Sequence, residues 1–501
     1  NEEIRSGIMP GERKNFFQVK LAGFKRSDAA KGLVRVLMKS NKPGESLAPS
    51  ELTKARAFAD HLYQANAAGA SEIPAGMLEE EQSLVNSLAV LKREISKTDR
   101  KKQPERYANL SRDFERRSSR LDALIDTFRN KYPAYAASKY PKAFSLSESA
   151  FRPGEYVILF DVSCDGVAVN LLNEKRLVKS GFVDWKESEL NEAVIKFRAP
   201  LETLGFTNFD HQLGQMIYVR LLRGVMDAIP KGAPVIIVPD GSLALLPFEA
   251  LVTGGSAKWQ KGAFGFPYPD GLNFLWDDHP ISYYQSLTVM TLSRKYGRGD
   301  SLGNAIVVIA DPVFEMNDKR AQGETGGRIS SSDKDRSIDL MQTIEDSTHG
   351  KFKFNRLEGT AVLAENLGKM FGRNSLILEG MKANKSDFMT KVAPEIKKFD
   401  NLVFATHGAV SSGIPGLMEP FLALTMAPPG TDGFLKMSDI LTLSMNSDVV
   451  ALTACQTALG KDISGEGVLS MGRAFQYAGA KSVLMTLWEV EEASAIRLTE
   501  R

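Results

Sequence analysis

A chain of 501 residues is too long for one ordinary domain, and at roughly 150 residues per domain it suggests about three. Hydrophobic and charged fractions of 43% and 25% exclude a fibrous or disordered protein, and a net charge of +2 supplies no global basic field for nucleic acid. No apolar run approaches the roughly 20 residues of a membrane span, and no signal-peptide pattern opens the chain, so no membrane contact is expected. Two cysteines, Cys164 and Cys455, make no disulfide framework; a reducing, cytoplasmic setting follows, in which either thiol is available to react. The chain begins at Asn1 and ends at Arg501 inside a helical pattern, as a piece of a longer protein would.

In chain order, residues 1–145 read as a helical region. Apolar positions recur at helical spacing over Asp28–Ser40 and Ser50–Ala67, with Ser50 placed as an N-cap before Glu51. Gly69 and Pro74 break the pattern, Met77–Ile95 resumes it, and a basic joint (Ser96–Arg106) leads to a charged helix over Tyr107–Lys131. Its arginines alternate with Glu115, Asp122 and Asp126, so a solvated helix face is favoured over a nucleic-acid site. From about Pro153 strands and helices alternate. Strands are expected at Tyr156–Val162, Val167–Leu172, Pro234–Val238, Ala305–Ala310, Ser375–Leu378, Asn401–Thr406, Asp448–Thr453 and Lys481–Thr486. Several are continuous apolar runs, as parallel strands covered on both faces require. Helices are expected at Gln212–Ala228, Thr360–Met370, Lys385–Val392 and Gly467–Ala478, and the order gives an α/β fold with a mostly parallel sheet. Met316–Gly350, poor in apolar residues, reads as a flexible insertion.

The chemistry concentrates in the last hundred residues. The run NLVFATHG (Asn401–Gly408) ends in His407, followed at once by Gly408. A side chain at the carboxyl end of a parallel strand projects into the crevice where such sheets bind ligands. The run DVVALTAC (Asp448–Cys455) ends in Cys455 and enters a polar, glycine-containing loop. If the two strands are neighbours, His407 and Cys455 face one crevice. A thiolate is the nucleophile, and an adjacent imidazole takes its proton and later protonates the leaving amine. The backbone N–H groups of Gly408 and Cys455 are the candidate oxyanion donors. Taken singly, a cysteine at a strand end is usually a buried small hydrophobe. A metal site has no C-x-x-C or H-x-x-x-H ligand set, and a serine hydrolase has no G-x-S-x-G elbow; no cofactor is expected. Cys455 follows His407 by 48 positions, close to the about 50 of caspases.

The chain resembles CHAT-domain proteins, relatives of caspases and separase in the caspase-like clan of cysteine peptidases. The matching segments are Val235–Val252, His279–Ser286, Val307–Phe314, Leu357–Leu367, Leu402–Gly408, Leu452–Gly460 and Gly465–Val490, in the family's order. The segments RAFADHLY (Arg56–Tyr63) and KYPAYAASKYP (Lys131–Pro141) resemble the end of the TPR array and connector that precede such domains. The resemblance implies a caspase-like α/β/α sandwich: residues 1–145 a TPR-like helical region, 150–300 a degenerate caspase-like half, and 301–501 the active half. It makes His407 and Cys455 the dyad of a cysteine endopeptidase. Its substrate is a protein, and an activating protein or ribonucleoprotein complex acts through the helical region. Some family members are CRISPR-associated proteases in bacterial antiviral defence, and others cut bacterial gasdermins. The segment EVEEAS after Trp488 departs from the family's Asp-rich turn, so the closing helix is expected to be absent or truncated.

Specificity is assigned to the loops after His407 (Ala409–Phe421) and Cys455 (Gln456–Glu466). Asp462 or Glu466 is the candidate acid for a basic substrate residue, although for Glu466, in its GEG turn, closing the loop and capping the next helix is the favoured role. The first loop, small and apolar, suits a Leu- or Met-like residue as well. Two other functions stay open: a silent scaffold or binding protein, and cysteine-dependent acyl transfer to something other than a peptide.

Overall fold

A computed structural model describes residues 20–21, 24–51, 54, 73–132, 135–136, 140, 145–174, 176–202, 209–261, 267–296, 303–315, 318–321, 354–409, 419–427, 432–453, 471–472, 474–476, 478–487 and 492–500. Among the described residues, four helices lead: α1 (Arg26–Lys39), α2 (Pro43–Glu51), α3 (Ala75–Lys97) and α4 (Pro104–Lys131). The α3 and α4 pair packs around Ile73, Leu124 and Phe128, with Glu81 buried under the hydroxyls of Tyr135 and Tyr140. Arginines of α4 are taken up by acids, Arg120 by Glu80 and both Arg116 and Arg117 by Asp113, as interleaved charge predicts. Ser50 is not an N-cap. It lies in the last turn of α2, and its hydroxyl is spent on the buried Asp161 carboxylate at 2.8 Å. The rest of the expected Ser50–Ala67 helix and most of the expected insertion lie outside the described residues.

The first sheet joins β1 (Tyr156–Ser163), β2 (Gly166–Asn173), β3 (Arg176–Val183), β4 (Val235–Val238) and β7 (Ile281–Tyr283), in the order β3-β2-β1-β4-β7. The first three strands form an antiparallel meander, and β4 and β7 add in parallel. Helices α5 (Glu187–Glu202) and α6 (His211–Leu221) cover one face. The other carries Leu47 of α2 together with Leu287 and Met290 of α7 (Leu287–Tyr296). Glu51 at the end of α2 accepts the backbone N–H groups of Leu287 and Thr288, satisfying the open first turn of α7. A long hairpin, β5 (Val252–Lys261) with β6 (Pro267–Phe274), stands beside this sheet.

The second sheet is wholly parallel. It joins β8 (Ile306–Pro312), β9 (Ser375–Gly380), β10 (Asn401–Ala405), β14 (Val449–Leu452) and β15 (Ser482–Met485), in the order β9-β8-β10-β14-β15. Its strands are short and apolar because both faces are covered. One face packs Phe388, Val392, Ile440 and Phe475 on Phe404 and Leu452. The other packs Leu363 and Leu367 of α8 (Gly359–Phe371) on Val308 and Val403. The fold is therefore the expected caspase-like α/β arrangement, preceded by helices. The closing segment, expected to be absent or truncated, forms a short helix: α9 (Glu492–Thr499) lies against α8, with Ile496 on the second sheet's core and Glu500 accepting from Asn366. Among the described residues, no helix is long and apolar enough to cross a membrane.

Candidate active site

Strand order sets the site. β10 is flanked by β8 and β14, and the register pairs Phe404 with Leu452. His407 follows Phe404 by three residues, and Cys455 follows Leu452 by three. Between them, Thr453 N–H donates to the Phe404 carbonyl at 3.2 Å, so the two chains leave the sheet side by side. Cys455, Asp462 and Glu466 lie outside the described residues, as do residues 410–418 of the first specificity loop.

His407 is 5% exposed and held from three sides. The rings of Phe314 and Phe354 each sit 5.5 Å from its imidazole, centre to centre, and Phe354 in turn meets Phe421 edge-on. Its Nε2 lies 2.7 Å from the carbonyl oxygen of Asn355. A carbonyl only accepts, so Nε2 carries the proton, and in the neutral ring Nδ1 bears the basic lone pair. The backbone is fixed as firmly. The Ala423 N–H donates to the His407 carbonyl at 2.8 Å, and the buried Thr406 hydroxyl donates to the Ala423 carbonyl.

Gly408 opens a short strand, β11 (Gly408–Ala409), which pairs with β12 (Phe421–Ala423) and through it with β13 (Phe434–Lys436). Gly408 stands opposite Leu422, while the bond across the ladder is made by its neighbour His407. In such a non-hydrogen-bonded pair the N–H of Gly408 points away from β12. The orientation suits a donor to something other than the sheet.

Asn355, Phe314 and Phe354 escaped the sequence reading. A backbone carbonyl leaves no mark on residue type, and Phe354–Asn355 directly follow the long polar segment. The one available signal was Phe314, closing the VVIADPVF run at the end of β8. Among the described residues, no group of three or more His, Cys, Asp or Glu side chains is placed to hold a metal ion.

A comparison with curated proteins finds no match. The CHAT domain's family model matches residues 211–501, more than half of the chain and the whole of the second sheet. The CHAT domain is related to the caspase-like clan of cysteine peptidases. On that match the chain belongs to the CHAT-domain family.

Proposed function

We propose that this chain is a caspase-like cysteine endopeptidase with His407 as general base and acid and Cys455 as nucleophile. The observation that carries the reading is the register: two adjacent parallel strands, paired at Phe404 and Leu452, lead to a histidine and a cysteine after equal lengths of chain. The Cys455 thiol gives its proton to His407 Nδ1, and the sulfur attacks the scissile carbonyl carbon. The carbonyl electron pair moves to oxygen, where the Gly408 and Cys455 N–H groups receive it. As the C–N bond breaks, His407 returns the proton to the leaving amine and a thioester remains. Water, deprotonated by His407, then releases the acid and restores the thiol. Asn355 and the two phenylalanines keep the imidazole in one tautomer and one orientation throughout.

The substrate in this reading is a protein, recognised by the loops after His407 and Cys455, with Asp462 or Glu466 as acids for a basic residue. The first sheet is the degenerate half, and the helices before it receive an activating protein or ribonucleoprotein in a cytoplasmic, bacterial defence setting. The family match supports the kinship with caspase-like peptidases; these finer assignments extend it by resemblance. The test is incubation of the chain, and of Cys455→Ala, with candidate proteins encoded beside it, followed by mapping of cut sites. Cleavage by wild type alone supports the reading; cleavage that survives Cys455→Ala defeats it. A folded, properly activated protein with an unreactive Cys455 would favour a silent scaffold.

A further inference from the structure

We infer that Asp311 is a positioning residue for His407, acting through Arg356 and the Asn355 carbonyl; the inference rests on the dyad reading above. Asp311 sits at the carboxyl end of β8, the strand next to that of His407. It is the irregular residue where the β8–β9 register shifts between Ala310 and Pro312. Its φ is +44°, a conformation that costs a non-glycine residue free energy and persists only where surroundings enforce it. The surroundings do so. Its N–H donates to the Thr360 hydroxyl at 3.0 Å, which itself donates to the Leu357 carbonyl. Its carboxylate, 1% exposed, takes Arg356 in a two-point fork, Nε to Oδ1 at 3.0 Å and Nη2 to Oδ2 at 2.8 Å.

The consequence follows from chain connectivity. Phe354, Asn355, Arg356 and Leu357 are consecutive, and the Asp311 network grips the last two, by side chain and by carbonyl. The preceding two make the contacts to His407: the Asn355 carbonyl on Nε2 and the Phe354 ring on the imidazole. A planar guanidinium held at two points fixes direction as well as distance, which a single ammonium contact does not. Arg320 also binds Asp311, at 2.6 Å, but it belongs to the Asp318–Ala321 stretch, which among the described residues shows no contact to His407. The bulge thus converts one buried carboxylate into an anchor for the segment that sets the histidine's tautomer.

The experiment uses the full chain with ¹⁵N-labelled histidine and compares Arg356→Gln, Arg356→Lys, Asp311→Asn and Arg320→Gln. Arg356 is half exposed and Asp311→Asn keeps its volume, so neither change is expected to unfold the protein, and thermal unfolding checks this. The wild-type imidazole spectrum should report the Nε2–H form of His407. Arg356→Gln should mix the tautomers and slow alkylation of Cys455 by roughly 10–100-fold, the scale of a misplaced catalytic group. Arg356→Lys should restore part of both signals, and Arg320→Gln should disturb them less. Folded Arg356→Gln and Asp311→Asn variants that keep the tautomer and the rate would overturn the inference. His407→Ala separates it from the dyad reading: if that change leaves Cys455 alkylation unaltered, the dyad reading fails, whereas loss with His407→Ala but not with Arg356→Gln leaves the dyad standing and removes Asp311 from the account.

Discussion

The two sheets treat the same kind of place in opposite ways. In the first, β1 and β4 run parallel with Leu159 beside Val238, and two residues further on come Asp161 and Asp240. In the second, β10 and β14 run parallel with Phe404 beside Leu452, and three residues further on come His407 and Cys455. The first crevice is filled from the helical region. Lys54 reaches Asp161 at 3.0 Å and the Phe160 carbonyl at 2.6 Å, Ser50 binds Asp161, and Lys31 binds Asp240 at 2.9 Å. Burial pushes the Asp161 carboxyl up, against the pull of Lys54, while Lys31 and Lys54 outweigh burial at Asp240 and hold its carboxyl down. The second place carries an imidazole held, among the described residues, by the Asn355 carbonyl and the rings of Phe314 and Phe354. Strand ends of this kind offer a crevice; whether it becomes a dock or a site depends on the few residues just beyond the last paired position.

The largest difference is expected between the two cysteines. Cys164, exposed at the β1–β2 turn, should be replaceable by serine without loss of cleavage. Loss of His407 or Cys455 should lower cleavage about 10⁴-fold or more, measured with whichever protein the wild type cuts. Next in size, Lys54→Met strands the Asp161 carboxylate in a buried position and should cost about 3–5 kcal/mol by denaturant unfolding. Adding Asp161→Leu should recover most of that loss, because an apolar pair has no charge to desolvate. Glu51→Ala leaves the first N–H groups of α7 without their acceptor and should cost about 1 kcal/mol. The smallest effect belongs to the second sheet's rim. Hydrogen bonding to Arg320 holds the Asp318 carboxyl down to about 2, below the usual carboxylate range. A lowered folded-state value means stability that is complete above the unfolded value, about 3.9, and lost as pH falls toward 2. Asp318→Asn should flatten that acid limb of the stability curve.

The parallel strands β1 and β4 and those of the second sheet were legible to within a residue or two, because a strand covered on both faces must be a short apolar run; β7, three residues long and largely exposed, was not. Runs such as LVFA and VVAL are too short for a helix and rich in β-branched and aromatic residues, which favours the strand. By contrast β3, the β5–β6 hairpin and helices α5 and α7 escaped. Arg176–Val183 is polar and half exposed, and the hairpin carries Gly254, Gly255 and Gly271 in place of an apolar face. Ser50 misled for a related reason: its hydroxyl is used by a residue 111 positions away, which no local pattern encodes. The placement of His407 and Gly408 just beyond a strand's carboxyl end was readable from ATHG. Asn355 was not, because what it supplies is a carbonyl that every residue has. Asp311 lay inside a recognised segment, yet only its bulge and its two arginines give it a role.

The central claim is that His407 activates Cys455, and this chain contains its own reference thiol. Alkylation by a small electrophile, followed at both cysteines by peptide mass spectrometry, measures activation without any substrate. Cys455 should react faster than the exposed Cys164, and His407→Ala should slow Cys455 while leaving Cys164 unchanged. Equal slowing at both, or a Cys455 rate indifferent to His407, would contradict it.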